Sequence, residues 1–278
     1  MNAIKKPASE KEIKAPASEK TAAKTKTASA AKKTPSAAKK KLALEVIDRL
    51  KKEYPETHCT LAYDKAWQLL VSVRLAAQCT DKRVDMVTPL LYEKFPTAAA
   101  LAEAPVEEIE EIVRPCGLGP SKARDISKCM KMLQEEYGGK VPDTMEELLK
   151  LPGVGRKSAN LVLGDVFGKP AIVTDTHCIR LANLIGLVDD VKEPGKVETA
   201  LRKIVPPEEG NDLCHRFVDH GRAVCVARRP ECGRCCLQDI FRHAKEEKKA
   251  AEKTAGKPEA KPVKKAAGKT KGKAGDKS

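Results

Sequence analysis

The stretch Leu151–Asn160, LPGVGRKSAN, indicates more about the fold than any other part of this chain. Pro152 cannot continue a helix, because its ring removes a hydrogen-bond donor and clashes with the preceding turn. Gly153 and Gly155 permit positive φ angles and a close approach of the backbone. Because apolar residues recur at helical spacing on both sides, the stretch predicts a helix, a tight hairpin and a second helix.

The start of the second helix is suited to hold a phosphate group. Its first amides have no partner inside the helix and lie at the positive end of the helix dipole. Such an end binds a nucleic-acid backbone without reading its sequence. The alternative is an ordinary corner between helices, in which Lys157 is a solvated surface charge and Asp175 only caps the next helix.

The rest of the core also has helical spacing, and no run alternates as a strand would. The segment AWQLLVSVRLAAQCT (66–80) is apolar on most sides, as in a buried helix. DKRVDMVTPLLYEKF (81–95) follows with Asp81 as a possible N-cap, and TDTHCIRLANLIGL (174–187) begins with Thr174 or Asp175 in that position. The sequence therefore predicts an all-α fold.

Positive charge is concentrated in the two tails. The chain carries a formal charge of +14, yet residues 1–41 contain twelve lysines against three glutamates, and residues 245–278 contain twelve lysines against five acidic residues. Segments so poor in large apolar residues are predicted to be disordered. They act either as solubilising tails or as polycations that attract nucleic acid in a salt-dependent way.

Several classes of protein are disfavoured. The N-terminus has no apolar run typical of a secretory signal, and no stretch is apolar enough to span a membrane. Ten cysteines in a chain of intracellular type do not indicate a disulfide scaffold. We therefore expect a cytoplasmic protein associated with the nucleoid, or a nuclear protein if the source is eukaryotic.

Four segments carry a family resemblance: LLVSVRLAAQCTDKRVD (69–85), CGLGPSKARDI (116–126), LPGVGRKSANLVLGDVFGKPAIVTDTHCIRLANLIGL (151–187) and DHGRAVCVARRPECGRC (219–235). In order and spacing they resemble the endonuclease III family of helix-hairpin-helix DNA glycosylases. The resemblance covers residues 42–244. It implies two helical subdomains with the DNA cleft between them, residues 59–169 with the hairpin and residues 42–58 plus 170–244 with a cysteine loop.

The resemblance also implies the chemistry. It makes Lys157 the nucleophile and Asp175 the second catalytic residue of a monomeric, bifunctional enzyme. That enzyme would remove oxidised pyrimidines from double-stranded DNA and then cleave the abasic site. The attacking amine must be neutral, which burial would favour.

DNA-contacting positions follow from the same resemblance. Gln78 and Leu118 match the residues that fill the gap left by a flipped nucleotide, although Gln78 could equally be the polar end of a buried helix and Leu118 ordinary core. The remaining expected contacts are the hairpin residues Gly153, Val154, Gly155 and Arg156, and the loop residues Arg228, Arg229 and Arg234.

The cysteine loop departs from the family pattern. Cys225, Cys232 and Cys235 match three ligands of the family's [4Fe-4S] cluster, but the fourth position is Phe241. Cys214, Cys236 or His243 could substitute for the missing ligand without having the family's spacing. Three interpretations stay open: an iron–sulfur cluster with an unusual fourth ligand, a loop without metal, and tetrahedral zinc.

Two other functions compete with the repair of oxidised pyrimidines. One is a related glycosylase for mismatched adenine, thymine or uracil. The other is a non-enzymatic nucleoid DNA-binding protein, as the lysine-alanine tails suggest. A pure DNA-binding protein would not need the pair Lys157 and Asp175, so that pair favours an enzyme.

Overall fold

The computed structural model describes residues 37–241. Residues 1–36 and 245–278 of the tails predicted to be disordered lie outside this range. Residues 37–41, which were predicted to belong to the disordered N-terminal tail, instead form the start of a helix. The described chain folds into helices joined by short turns and contains no strand, which confirms the all-α prediction. Its α-helices are α1 (Ala37–Glu53), α2 (Ala66–Ala76), α3 (Asp81–Lys94), α4 (Ala98–Glu103), α5 (Val106–Val113), α6 (Gly119–Tyr137), α7 (Met145–Leu148), α8 (Arg156–Asp165), α9 (Thr176–Ile185), α10 (Pro194–Leu201) and α11 (Gly210–Ala223).

The helices pack around an apolar core. Helices α4 and α5 lie against α6, and α2 contacts α3, α6 and α8. On the other side α11 packs against α8 and α9, and α1 lies against α11. The division into subdomains 59–169 and 42–58 plus 170–244 stays a prediction, and residues 242–244 lie outside the described range. None of the described helices is long and apolar enough to cross a membrane.

The hairpin joins α7 to α8. Gly153 adopts a φ of +77°, and a Cβ atom there would lie 2.8 Å from the Cδ of Arg74 and 3.1 Å from the Cβ of Asp125. Both the backbone conformation and the lack of space therefore require glycine. Gly155 differs from the expectation of a positive φ, because its φ is −96° and the backbone is extended as it enters α8.

The predicted helix caps have different outcomes. Asp175 is the N-cap of α9, and its Oδ1 accepts a hydrogen bond of 2.7 Å from the Cys178 amide, as the sequence predicted. Asp81 is not a cap: it is the first residue of α3, after Thr80. The Asp81 carboxylate instead accepts hydrogen bonds from Thr60 and Arg222.

Candidate active site

A cavity of about 220 Å³ opens beside the hairpin, and it brings Lys157 and Asp175 together. The first turn of α8 supplies Lys157, and the cap of α9 supplies Asp175. Helix α11 contributes four further lining residues. These are Cys214, His215, Val218 and Arg222, of which the last three lie at i, i+3 and i+7 on one helix face.

Lys157 is exposed at this cavity, so the burial expected to favour a neutral amine is not present in the described structure. The charge of Lys157 nevertheless reaches its neighbours. It contributes to lowering the pKa of His177, for which burial is the largest cause. Burial raises the pKa of the Cys59 thiol, also in the cavity wall, to about 12, which makes Cys59 a poor competing nucleophile.

An ion pair crosses from α3 to α11 at the cavity wall. Arg222 lies 2.6 Å from Asp81. Burial alone would raise the pKa of the Asp81 carboxyl, but hydrogen bonds from Arg222 and Thr60 outweigh burial and lower it. Sequence alone does not reveal this pair, because 141 residues separate its members, although each lies in a segment that carries the family resemblance.

The hairpin residues expected to contact DNA are mostly accessible. Gly153, Gly155 and Arg156 are exposed, and Val154 is half-buried. The guanidinium of Arg156, however, donates two hydrogen bonds, of 2.7 Å and 2.9 Å, to the buried carboxylate of Glu198. The side chain of Arg156 thus fixes α8 to α10. Phosphate binding by the amides of the first turn of α8 stays a prediction.

The two residues expected to fill the DNA gap have the same unusual backbone. Gln78 has a φ of 56° and Leu118 a φ of 52°, which is left-handed backbone that residues other than glycine rarely adopt. Both side chains are exposed, and Leu118 is 54% accessible, so the alternative that Leu118 is core is wrong. Their insertion into DNA stays a prediction.

Lys122 joins the two turns that carry these residues. Its side chain is completely buried, and its ammonium donates hydrogen bonds of 2.8 Å to the carbonyls of Leu75 and Cys116. Leu75 lies three residues before Gln78, and Cys116 two before Leu118. Burial lowers the pKa of Lys122. A buried cation with two carbonyl partners therefore holds both left-handed turns in place.

We expect Lys122→Met to lower the free energy of unfolding by about 2–4 kcal/mol, because it leaves two buried carbonyls without a donor. Urea unfolding followed by circular dichroism measures this loss. Lys128→Met, on the exposed face of the same helix, is the matched control and should change stability little. Equal stability of the two variants would show that the carbonyls find other partners.

The arginines of the cysteine loop lie on the surface. Arg228 and Arg229 are exposed. Arg234 is also exposed and forms an ion pair of 2.5 Å with Glu231. All three are accessible to a DNA backbone, and their contact with phosphate stays a prediction.

The cysteine loop does not complete a site for a four-thiolate cluster. Phe241 at the fourth position offers no ligand atom, and its side chain is 5% accessible within the core. Over residues 37–241, no group of three metal-ligating side chains could hold an ion. Cys232 is exposed. The Sγ of Cys225 accepts a hydrogen bond from the guanidinium of Arg180, and the Sγ of Cys235 is hydrogen-bonded to the imidazole of His220.

Within residues 37–241, neither Cys214 nor Cys236 completes a metal site. Cys214 accepts a hydrogen bond from the Val173 amide at 3.2 Å and belongs to the cavity wall. The Cys236 carbonyl accepts a hydrogen bond from Arg49, which also pairs with Asp239 and so ties the loop to α1. His243 lies outside the described residues. The described residues therefore do not supply the four thiolates of a cubane cluster, and an unusual fourth ligand, a loop without metal and zinc stay open interpretations.

We expect Phe241→Ala to destabilise the protein by about 3–5 kcal/mol, as for other buried aromatic residues cut to alanine. Thermal or urea unfolding measures this change, with the exposed Arg229→Ala as a control in the same loop. Adding a strong chelator should leave the unfolding curve of the wild type unchanged. A loss of stability on chelation would mean that a bound metal supports the loop.

Comparison with known proteins agrees with this geometry. Residues 71–207 match the model of the HhH-GPD superfamily of base excision DNA repair proteins. The chain is 46% identical to endonuclease III of Synechocystis sp. over 204 residues, which cover 73% of this chain and 93% of the relative. It is 40% identical to endonuclease III of Escherichia coli over 197 residues, or 71% and 93% of the two chains.

A solved structure of a trapped endonuclease III–DNA covalent intermediate superimposes with a TM-score of 0.70. The sequences are 40% identical, and the match covers 75% of this chain and 98% of the other. Identity of this level over nearly the whole length of the relatives decides the assignment. The chain belongs to the endonuclease III family.

Proposed function

We propose that this protein is a bifunctional DNA glycosylase and abasic-site lyase that removes oxidised pyrimidines from duplex DNA. Membership of the family makes the chain a base excision repair enzyme, which sets aside the alternative of a non-enzymatic nucleoid protein. The observation that carries the finer proposal is the cavity that contains both Lys157 and Asp175 directly beside the hairpin.

In the proposed reaction the damaged nucleotide leaves the stack and enters this cavity. The neutral amine of Lys157 attacks C1′ of the sugar, the bond to the base breaks, and the base leaves with a proton. Opening of the sugar ring gives an iminium between Lys157 and C1′. Asp175 stabilises the positive charge that develops on the sugar and moves protons.

The iminium then allows strand cleavage. It acidifies the proton on C2′, and loss of that proton expels the phosphate on the 3′ side. Hydrolysis of the imine releases the enzyme. The exposed amides at the start of α8 support this scheme, because a phosphate bound there would hold the sugar near Lys157.

Trapping with borohydride on defined duplexes tests the proposal. We expect a covalent adduct with thymine glycol, dihydrouracil and a preformed abasic site, and none with undamaged DNA. Adducts confined to mismatched adenine, thymine or uracil would instead favour a mismatch glycosylase. Failure to trap on the abasic site would overturn the lyase assignment.

Partner and location follow from the substrate. We propose that the enzyme acts as a monomer on chromosomal DNA, in the cytoplasm of a bacterium or the nucleus of a eukaryote. Sedimentation of the free protein and of its complex with a lesion duplex distinguishes one copy per duplex from two.

A further inference from the structure

The proposed mechanism does not use a buried, hydrogen-bonded pair of side chains, Asp165 and His215. Asp165 is the last residue of α8, and its Oδ1 forms a hydrogen bond of 2.8 Å with Nε2 of His215 on α11. Both side chains are more than nine-tenths buried, with 7% and 9% of their surface accessible. Asn211 donates a second hydrogen bond of 3.0 Å to the same carboxylate oxygen.

This pair fixes the orientation and the tautomer of the imidazole. An ionised carboxylate only accepts hydrogen bonds, so Nε2 of His215 must carry the proton. The other oxygen of Asp165, Oδ2, is also buried. After burial, which is the largest cause, the Asp165 carboxylate helps to raise the pKa of the neighbouring Cys59 thiol.

His215 connects this buried carboxylate to the active-site cavity. His215 lines the cavity that contains Lys157 and Asp175, whereas Asp165 does not, and both residues line a second cavity. Nδ1 of His215 has no hydrogen-bond partner among residues 37–241, so the described protein leaves this nitrogen available to a ligand. In the neutral ring with Nε2 protonated, Nδ1 is an acceptor.

We propose that His215 determines specificity by accepting a hydrogen bond at Nδ1 from the imide N–H of the flipped base, with Asp165 as its positioning residue. Lesions derived from thymine and uracil share this N–H group, whereas cytosine-type bases lack it. The proposal rests on the proposed function, because it assumes that the lesion occupies the Lys157 cavity. It adds to that function a group that recognises the base.

The test compares base release with cleavage of a preformed abasic site, which contains no base to recognise. His215→Phe keeps a ring of similar size without the acceptor, and Asp165→Asn removes the charge that orients it. For both variants we expect the ratio of base release from dihydrouracil to abasic-site cleavage to fall about tenfold, equivalent to one lost hydrogen bond. The matched control is His58→Phe, because His58 is exposed and does not line this cavity.

A second substrate tests the hydrogen bond itself, because dihydrouracil methylated at N3 lacks the N–H donor. The compared quantity is the rate of base release from dihydrouracil divided by the rate from its N3-methylated form. We expect this ratio to be about tenfold higher in the wild type than in His215→Phe. An unchanged ratio in both variants would overturn the proposal, as would equal losses of base release and abasic-site cleavage. Failure of the wild type to trap on abasic DNA would overturn the proposed function itself, which is a separate outcome.

Discussion

Replacing Lys157 with alanine is expected to abolish the covalent adduct with borohydride on both lesion-containing and abasic DNA. The same variant should lose base release and strand cleavage by at least about 10⁴-fold, as is usual when an enzyme loses its nucleophile. Single-turnover assays on a thymine glycol duplex measure the rates, and gel electrophoresis measures the adduct. The expected loss is large because the covalent bond to C1′ is required for both steps.

The design must separate Lys157 from the many other lysines of the chain. Lys150→Ala is the matched control, since Lys150 precedes the same hairpin and pairs with Glu147 on the surface. It should trap as the wild type does. An adduct with Lys157→Ala at wild-type yield would mean that another amine attacks the sugar, and the role of Lys157 would be wrong.

Asp175→Asn should reduce base release by about 10²–10⁴-fold, the range typical for loss of an acid–base group. Asp175 also caps α9 through its hydrogen bond to the Cys178 amide. Asparagine is as good an N-cap as aspartate, so the free energy of unfolding should change by less than about 1 kcal/mol. The substitution therefore removes the charge and keeps the helix.

Asp175→Ala completes this experiment. It removes both charge and cap, and it should lose the same activity and in addition about 1 kcal/mol of stability. Chemical unfolding and single-turnover kinetics on the three proteins give the comparison. Wild-type rates in Asp175→Asn would show that Asp175 serves only as a helix cap.

Local patterns predicted the helices well, because the spacing of apolar residues and the capping side chains are encoded in neighbouring residues. The all-α fold and the cap at Asp175 are examples. Local sequence patterns were less informative about backbone angles. Of the two hairpin glycines, Gly155 has a negative φ and only Gly153 has a positive φ. The crowding by Arg74 that makes Gly153 necessary comes from another helix, which no local rule describes.

The cavity wall was the least predictable part of the site. His215 and Arg222 belong to α11, more than 50 residues beyond Lys157 in the sequence, and nothing in the local sequence places either side chain beside Lys157. Their positions depend on how α11 packs on α8 and α9. Asp81 was interpreted as a cap for the same reason, because its partner Arg222 is visible only in three dimensions.

Helix α8 sets the distances within the site. Arg156 and Lys157 lie at its start and Asp165 at its end, so about 12 Å of continuous helix separates the nucleophile from the carboxylate behind His215. Under the proposed scheme, Lys157 attacks the sugar and Asp165 positions the residue that contacts the base. Because both belong to α8, they cannot shift independently of each other along the helix. His215, which would contact the base, belongs instead to α11, so lesion preference under this scheme depends on how α11 packs against α8.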